Sequence, residues 1–358
     1  MQLPKIRDDL SMLDGYHSPQ VDVKIRLNTN ESPIAPPDRW VEDLSAELKN
    51  ISWNRYPDRE ANQLHTDIAK FHNVGPDMVL AANGSNEVLQ SLLLTYGGFG
   101  RKAAVLEPTY ALHSHISALT GTELIVGECN ENFAIENETI EGVLEQHPSV
   151  LFLCSPNNPT GITATRDFIE SIVERCAEIG ILLIVDEAYG EFSDWSAIDL
   201  VREGSKIAVT KTFSKTWSMA GIRLGYMVAA QEIIESVRTV ILPYHLDSLK
   251  QVAGSYALRH ISDMNSRVEL LVQERERVSR KLLELPIQQW PSGANFILFR
   301  PTNSAKITGS ELWEALLERS ILVRNCSSWS RLEGCLRVTI GTPEENDSFL
   351  GHLEAILE

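Results

Sequence analysis

The chain of 358 residues carries a formal charge of −17, with 43% hydrophobic and 23% charged residues. That balance is ordinary for a folded globular protein and excludes disordered or fibrous material. The acidic excess argues against a nucleic-acid or anionic-membrane partner, which clustered Lys and Arg would be needed to hold, and no run approaches the roughly 20 apolar residues of a membrane span. The length predicts two domains rather than one core. The N-terminal stretch MQLPKIRDDLSMLDGYHSPQ has no apolar signal core, so a cytoplasmic location is expected. Cys129, Cys154, Cys176, Cys326 and Cys335 are odd in number and lack metal-ligand spacing, which predicts reduced thiols in apolar surroundings and no metal site.

Residues 1–38 are proline-rich, with little periodicity beyond 21–27, and read as an arm that leans on something else. Helices are expected over 40–48 and 61–71, separated by Arg55-Tyr56-Pro57-Asp58, where Pro57 forces Tyr56 into an extended conformation. From residue 79 onward short apolar runs alternate with amphipathic ones. Strands are predicted at 79–81, 103–106, 124–126, 150–154, 181–185, 207–209 and 224–228. Most are apolar at successive positions, as strands buried on both faces of a mostly parallel sheet would be. Between two of them Phe168, Ile169, Ile172, Val173, Cys176 and Ala177 recur at helical spacing, after Thr165 as cap and before Gly180 as stop. This βαβ pattern predicts an α/β sandwich with ligands at the carboxyl ends of the strands. Residues 248–285 read as one long helix leading to a small α+β domain, with strands expected at 294–299, 321–324 and 336–340 and a helix over 312–319.

Chemistry is therefore expected in the residues just past each strand. After the first comes Asn83-Gly84-Ser85-Asn86, opening a helix whose free N–H groups suit an anion, although a plain cap would look the same. Tyr110 comes after the second and could lie beside a flat ligand, or be core. SPNNPTG at 155–161 fixes the Asn157 amide in a turn, and turn chemistry alone would give that composition. Asp186 ends a buried apolar strand, where a carboxylate needs a cation, a donor or a helix to cap. Beyond 207–209 a hydroxyl-rich turn carries Thr212, Ser214 and two lysines, Lys211 and Lys215, with Arg223 close behind. A lysine attacks an aldehyde only when neutral, so burial or a neighbouring positive charge must lower its pKa. Together these ends describe a site for a flat, phosphorylated, aldehyde-bearing heterocycle. Those are the requirements of pyridoxal phosphate, whose ring nitrogen needs a carboxylate, whose phosphate needs donors and whose aldehyde needs a lysine.

SPNNPTG, Asp186-Glu187-Ala188-Tyr189, and Ser214-Lys215 with AGxRxG at 220–225 resemble the signatures of the class I/II aminotransferases of fold type I, over nearly the whole chain. The resemblance implies a large pyridoxal-phosphate domain with a mostly parallel seven-stranded sheet flanked by helices, a smaller C-terminal α+β domain and an N-terminal arm. The expected division is 1–38, 39–247 and 248–358. LNTNESP at 27–33, RYPD at 55–58, ANGSNE at 82–87, Pro108-Thr109-Tyr110 and CLRVTIGTPEEN at 335–346 are most similar to the histidinol-phosphate aminotransferase family. By that resemblance Lys215 joins the cofactor and serves as general base, and Asp186 faces the ring nitrogen. Asn157 and Tyr189 take the ring hydroxyl, and Tyr110 stacks on the ring. Ser85, Asn86, Thr212, Ser214 and Arg223 hold the phosphate, and Tyr56 reaches the phosphate of a partner subunit in a homodimer. Asn86 departs from the Asp or Ala of many relatives. Asn30, Arg337, Arg324 and Tyr16 face the substrate. The register of the small residues after it selects Lys215 over Lys211.

The implied reaction moves an amino group between histidinol phosphate and 2-oxoglutarate. Histidinol phosphate has a phosphate and no α-carboxylate, glutamate is the reverse, and guanidinium groups pair with either anion. An aromatic amino-acid aminotransferase would share every cofactor residue, and a threonine-phosphate decarboxylase would share the fold. A cofactor-sensing regulator would need a DNA-binding domain for which the chain has neither room nor charge. His113 and His115 do not share a helix face, lack a third ligand, and read as structural or pocket-lining rather than a metal pair.

Overall fold

The computed structural model describes residues 3–10 and 21–358. In chain order a first strand, β1 (Ile25–Leu27), precedes helices α1 (Asp38–Glu47) and α2 (Asn62–His72). Next come β2 (Val79–Ala82), α3 (Ser85–Tyr96), β3 (Lys102–Glu107), α4 (Ala111–Thr120), β4 (Glu123–Glu128), α5 (Asn137–Leu144), β5 (Val150–Cys154), α6 (Arg166–Ile179), β6 (Leu182–Asp186), β7 (Ile207–Thr212), β8 (Gly225–Ala229) and α7 (Gln231–Arg238). The C-terminal part contains α8 (Ser248–Ala257), α9 (Ile261–Leu282), β9 (Ile287–Gln289), β10 (Phe296–Pro301), α10 (Gly309–Glu318), β11 (Ile321–Asn325), β12 (Leu336–Thr339) and α11 (Pro343–Leu357).

All seven strands expected from the apolar runs pair into one sheet, in the order β2-β8-β7-β6-β5-β3-β4 among the described residues. β8 runs antiparallel to both β2 and β7, while β3 through β7 pair in parallel with their neighbours. The sheet is apolar throughout because alternate residues enter two different cores. Leu151, Leu153, Leu183, Val185 and Val209 face α2, α5 and α6, whereas Val150, Phe152, Leu182, Ile184 and Ala208 face α3, α4 and α7. α6 begins and ends where the sequence places it: the Thr165 hydroxyl accepts from Phe168 N, and Gly180 stops the helix in the left-handed region at φ 81°.

The second sheet has the order β1-β11-β12-β10-β9. Its edge strand β1 comes from the proline-rich arm and pairs in parallel with β11, Ile25 opposite Ile321 and Leu27 opposite Val323. The support that the arm needs is therefore the C-terminal sheet. The single helix expected over 248–285 is two helices, broken at Leu258–His260. There the backbone tightens, Arg259 N bonding to Tyr256 O and His260 N to Ala257 O. Ala253, Ala257, Leu258 and Met264 belong to the core of the large sheet, Leu271, Val278 and Leu282 to that of the small one, and Val268 touches both. The change of core therefore falls inside α9, beyond the break, and α9 joins the two cores. All five cysteines are buried and unpaired by disulfides. No described helix is long and apolar enough to cross a membrane.

Candidate active site

The carboxyl ends of β2, β3, β5, β6 and β7 open on one cavity of about 360 Å³, closed on the far side by residues 28–31 of the arm and by Arg324 and Arg337 of the small sheet. Lys215 stands in its wall. The Lys215 Nζ donates to the Thr29 carbonyl at 2.9 Å and lies 5.9 Å from the centre of the Tyr189 ring. Burial lowers its pKa to about 7, helped by the positive charge of Arg337 and, less, of Arg223, while Glu31 opposes the shift. Lys211 has the opposite fate. It is buried between Glu187 at 3.0 Å and Glu191 at 3.3 Å, and the two carboxylates raise its pKa above the ordinary lysine range despite burial. An amine held permanently as a cation is no nucleophile.

Asp186 is 1% exposed at the end of β6. Its Oδ1 accepts from Ala188 N at 3.1 Å and Thr210 Oγ1 at 3.3 Å, and its Oδ2 meets His113 Nε2 at 3.1 Å. The His113 ring is stacked on Phe152, centroids 4.6 Å apart and planes within 6°. His113 is thus a site residue whose role the sequence left open. It lies three positions after Tyr110, the N-cap of α4, and the two rings meet edge to face at 5.5 Å; that spacing is the signal that could have marked it.

At the other end of the cavity α3 begins after Gly84, φ 84°, which caps it without a side-chain hydrogen bond to its first N–H groups. Ser85, Asn86, Thr212, Ser214 and Arg223 gather around that helix start. Thr212 Oγ1 accepts from Ser214 N at 3.0 Å, and Arg223 Nη1 approaches Ser214 Oγ at 3.4 Å. Glycine permits the close approach of β8 to this helix start: a β-carbon on Gly225 would collide with Ser85 N, and one on Gly84 would come within 3.1 Å of Arg223 Nη2. Replacing Gly225 with alanine should therefore push β8 off the start of α3. We expect at least about a tenfold loss of affinity for an anion held there, from one lost charge-assisted hydrogen bond, measured by titrating pyridoxal phosphate into cofactor-free protein.

Residues 22–353 match the model of the family described as aminotransferase class I and II. The chain belongs to that family. It is 41% identical to a histidinol-phosphate aminotransferase of Mycolicibacterium vanbaalenii, over 96% of this chain and 94% of the relative. Identity to the enzyme of the same name from Corynebacterium efficiens is 43%, over 96% and 93%. The solved histidinol-phosphate aminotransferase of Sinorhizobium meliloti, in complex with pyridoxal-5′-phosphate, superposes with a TM-score of 0.85 at 18% identity, over 94% of this chain and 91% of that one. At that identity the superposition speaks for the fold, which is that of the fold type I aminotransferases.

Within this aminotransferase site, the residues assigned from the sequence divide into those that line the cavity and those that do not. Asn30, Ser85, Asn86, Tyr110, Asp186, Tyr189, Thr212, Ser214, Lys215, Arg223, Arg324 and Arg337 line it. Asn157 does not. Its amide nitrogen is spent on Pro108 O and Thr160 Oγ1, both at 2.8 Å, and its oxygen accepts from Thr109 Oγ1 at 2.9 Å. Asn157 holds the turn, and its neighbour Asn158 faces the cavity. The motif contains two adjacent asparagines, and Asn158 rather than the expected Asn157 lines the cavity. Tyr56 is 79% exposed, stacked on Tyr244 at 4.4 Å, and outside this chain's own cavity. Tyr16 lies outside the described residues. Asn30 donates from Nδ2 to the Tyr189 hydroxyl at 2.8 Å, and burial raises the pKa of that phenol to about 12 against the pull of Arg337.

Proposed function

We propose that this protein transfers the amino group of L-histidinol phosphate to 2-oxoglutarate, with pyridoxal phosphate as cofactor, in histidine biosynthesis. The observation that carries the reading is the cavity itself. It sets a lysine of lowered pKa and a buried carboxylate between an uncapped helix start at one end and two arginines at the other. The residues fit the cofactor by their chemistry: the uncapped start of α3, with Ser85, Ser214 and Arg223 around it, suits a phosphate, and the Asp186 carboxylate, 1% exposed and lining the cavity, suits a protonated ring nitrogen. Ser85, Asn86, Thr212, Ser214 and Arg223 would hold the phosphate, Asp186 the ring nitrogen, Tyr189 with Asn158 the ring hydroxyl, and Tyr110 the ring face. Bound pyridoxal phosphate supplies an aldehyde that condenses with amines and a ring that takes up the electron pair left when the substrate Cα loses its proton.

The chain's own work is positioning and proton transfer. Lys215 Nζ would take the proton from the substrate Cα and return it to the carbon on the other side of the amino nitrogen, as general base and then acid. Asp186 would stabilise the positive charge at the ring nitrogen, and His113, backed by Phe152, fixes the direction in which its carboxylate points. Arg337 is 5% exposed and held firmly, donating from Nη2 to the Asn28 carbonyl at 2.9 Å and from Nη1 to Asn158 Oδ1. Arg324 stands opposite Arg337 in the β11–β12 register. A phosphate dianion can engage both guanidinium groups and a carboxylate needs one, so a single pocket serves both substrates.

Exposed Trp53, Tyr56, Leu242 and Tyr244 support a homodimer in which Tyr56 serves the partner's site. A cytoplasmic location belongs to the same reading. So does the division into arm, large and small domains, with the boundary moved from residue 248 into α9 near Val268. The test is a donor panel with 2-oxoglutarate as acceptor. We expect histidinol phosphate to exceed phenylalanine in kcat/KM by at least about 10²-fold, the discrimination available from one extra charged contact. Equal or inverted values would point to an aromatic aminotransferase instead.

A further inference from the structure

The residue after Lys215 is tied down on two sides. Thr216 is fully buried. Its hydroxyl donates to Glu191 Oε2 at 3.3 Å, just past Tyr189, and its carbonyl accepts from Arg267 Nη1 of α9 at 2.7 Å. The turn adds two bonds of its own, Ser218 N to Lys215 O at 3.2 Å and Met219 N to Phe213 O at 3.1 Å. Of these four the bond from Arg267 is the shortest, and it alone has a charged donor. It arrives beside Val268, where α9 passes from one core to the other.

Arg267 is badly placed for stability. It is 7% exposed, shares a small void with Trp217, Met219 and Met264, and has no hydrogen-bond partner at Nε. No described carboxylate forms an ion pair with it. Asp263, one turn earlier on α9, faces His260 Nδ1 at 3.7 Å and only partly offsets the lowering of the Arg267 pKa by burial. A buried cation without a carboxylate weakens a fold, and an apolar side chain of similar length in its place is neutral or stabilising. Packing therefore does not account for the guanidinium, whose one side-chain hydrogen bond among the described residues is to the Thr216 carbonyl.

We propose that Arg267 is a positioning residue for Lys215: by holding the Thr216 carbonyl it fixes the main chain next to the lysine, so that Nζ keeps its place in the cavity wall. The inference rests on the proposed role of Lys215 as the proton-transferring amine. Slack in the main chain at Thr216 is carried along the lysine side chain to its tip. A displacement of about 1 Å at a reacting group costs up to about 10²-fold in rate.

The experiment compares the wild type, Arg267→Met and Arg267→Lys. Methionine keeps the apolar stem and removes the charge and the donor, and lysine restores both. In holoenzyme, the reaction with glutamate is followed at the cofactor absorbance. For Arg267→Met we expect the maximal rate to fall about 5- to 100-fold and the Kd for glutamate to stay within about twofold, with Arg267→Lys recovering most of the loss. In cofactor-free protein, amide hydrogen exchange within 213–219 should rise about tenfold in the Met variant, from one lost charge-assisted bond, while the melting temperature holds or increases. A maximal rate or an exchange rate equal to that of the wild type overturns the proposal. So does a Lys variant as slow as the Met variant, or a loss of rate matched by a lower melting temperature, since that marks Arg267 as part of the fold. If the Met variant does not fold, Arg267→Gln, too short to reach the carbonyl, decides by the same split between rate and Kd. Should borohydride fix the cofactor at a lysine other than Lys215, the assignment of the lysine falls and takes the proposal with it; fixation at Lys215 with an unchanged rate in Arg267→Met overturns the role of Arg267 alone.

Discussion

Lys215→Ala is expected to lower kcat by at least about 10⁴-fold, the upper range for loss of a general acid–base group and here compounded by loss of the covalent anchor. The variant should still bind pyridoxal phosphate, because the α3 start, Ser214 and Arg223 are untouched, but dialysis should now remove it. Borohydride should fix the cofactor to the wild type at Lys215 and not at Lys211, whose amine is locked between two glutamates. The pH dependence comes from the same geometry. In cofactor-free protein the Lys215 pKa stands at about 7 instead of 10.5. Only the neutral amine attacks, so the rate of covalent cofactor uptake should rise about tenfold per pH unit below 7 and level off above about 8. An unshifted lysine would show a rise continuing past about pH 9, and stopped-flow absorbance across that range separates the two.

Asp186→Asn is expected to lower kcat/KM by about 10²- to 10³-fold, which is the usual cost of removing one preorganised electrostatic partner of the transition state. Asparagine has nearly the same shape, and its amide oxygen can keep the contacts with Ala188 N and Thr210 Oγ1. The loss is therefore one of charge and not of packing. A circular dichroism melt should show the fold intact while turnover falls. His113→Phe, which keeps the stacking on Phe152 but removes the nitrogen facing Asp186, should move activity in the same direction by a smaller amount.

The large sheet was legible because its strands are short apolar runs buried on both faces, a pattern that survives without any tertiary information. The same holds for α6, whose cap and stop are local chemistry at Thr165 and Gly180. The features hidden from the sequence were long-range. Nothing near Ile25–Leu27 announces that its partner is β11, nearly three hundred residues away, and nothing within 248–285 announces that one half of the stretch must pack on each core. The site shows the same division. Residues nominated at strand ends from position alone line one cavity, whereas the choice between Asn157 and Asn158 depends on which one the Pro108 carbonyl and Thr160 claim. His113 acquires its role only when β5 brings Phe152 beneath it and β6 brings Asp186 beside it.

The pairing of β1 with β11 also bears on when the enzyme becomes an enzyme. Asn28, Thr29 and Asn30 come directly after β1, and they contact Arg337, Lys215 and Tyr189 respectively. Asn30 N bonds in turn to Thr339 Oγ1, across a separation of 309 residues. As the chain emerges from the ribosome, the large sheet can close around Asp186 and Lys215 long before β11 and β12 exist. The floor of the cavity cannot. It waits, with residues 25–31 unmoored, until almost the last of the chain has been made, so that a truncated product would carry the chemical groups of the site without the wall that shelters them.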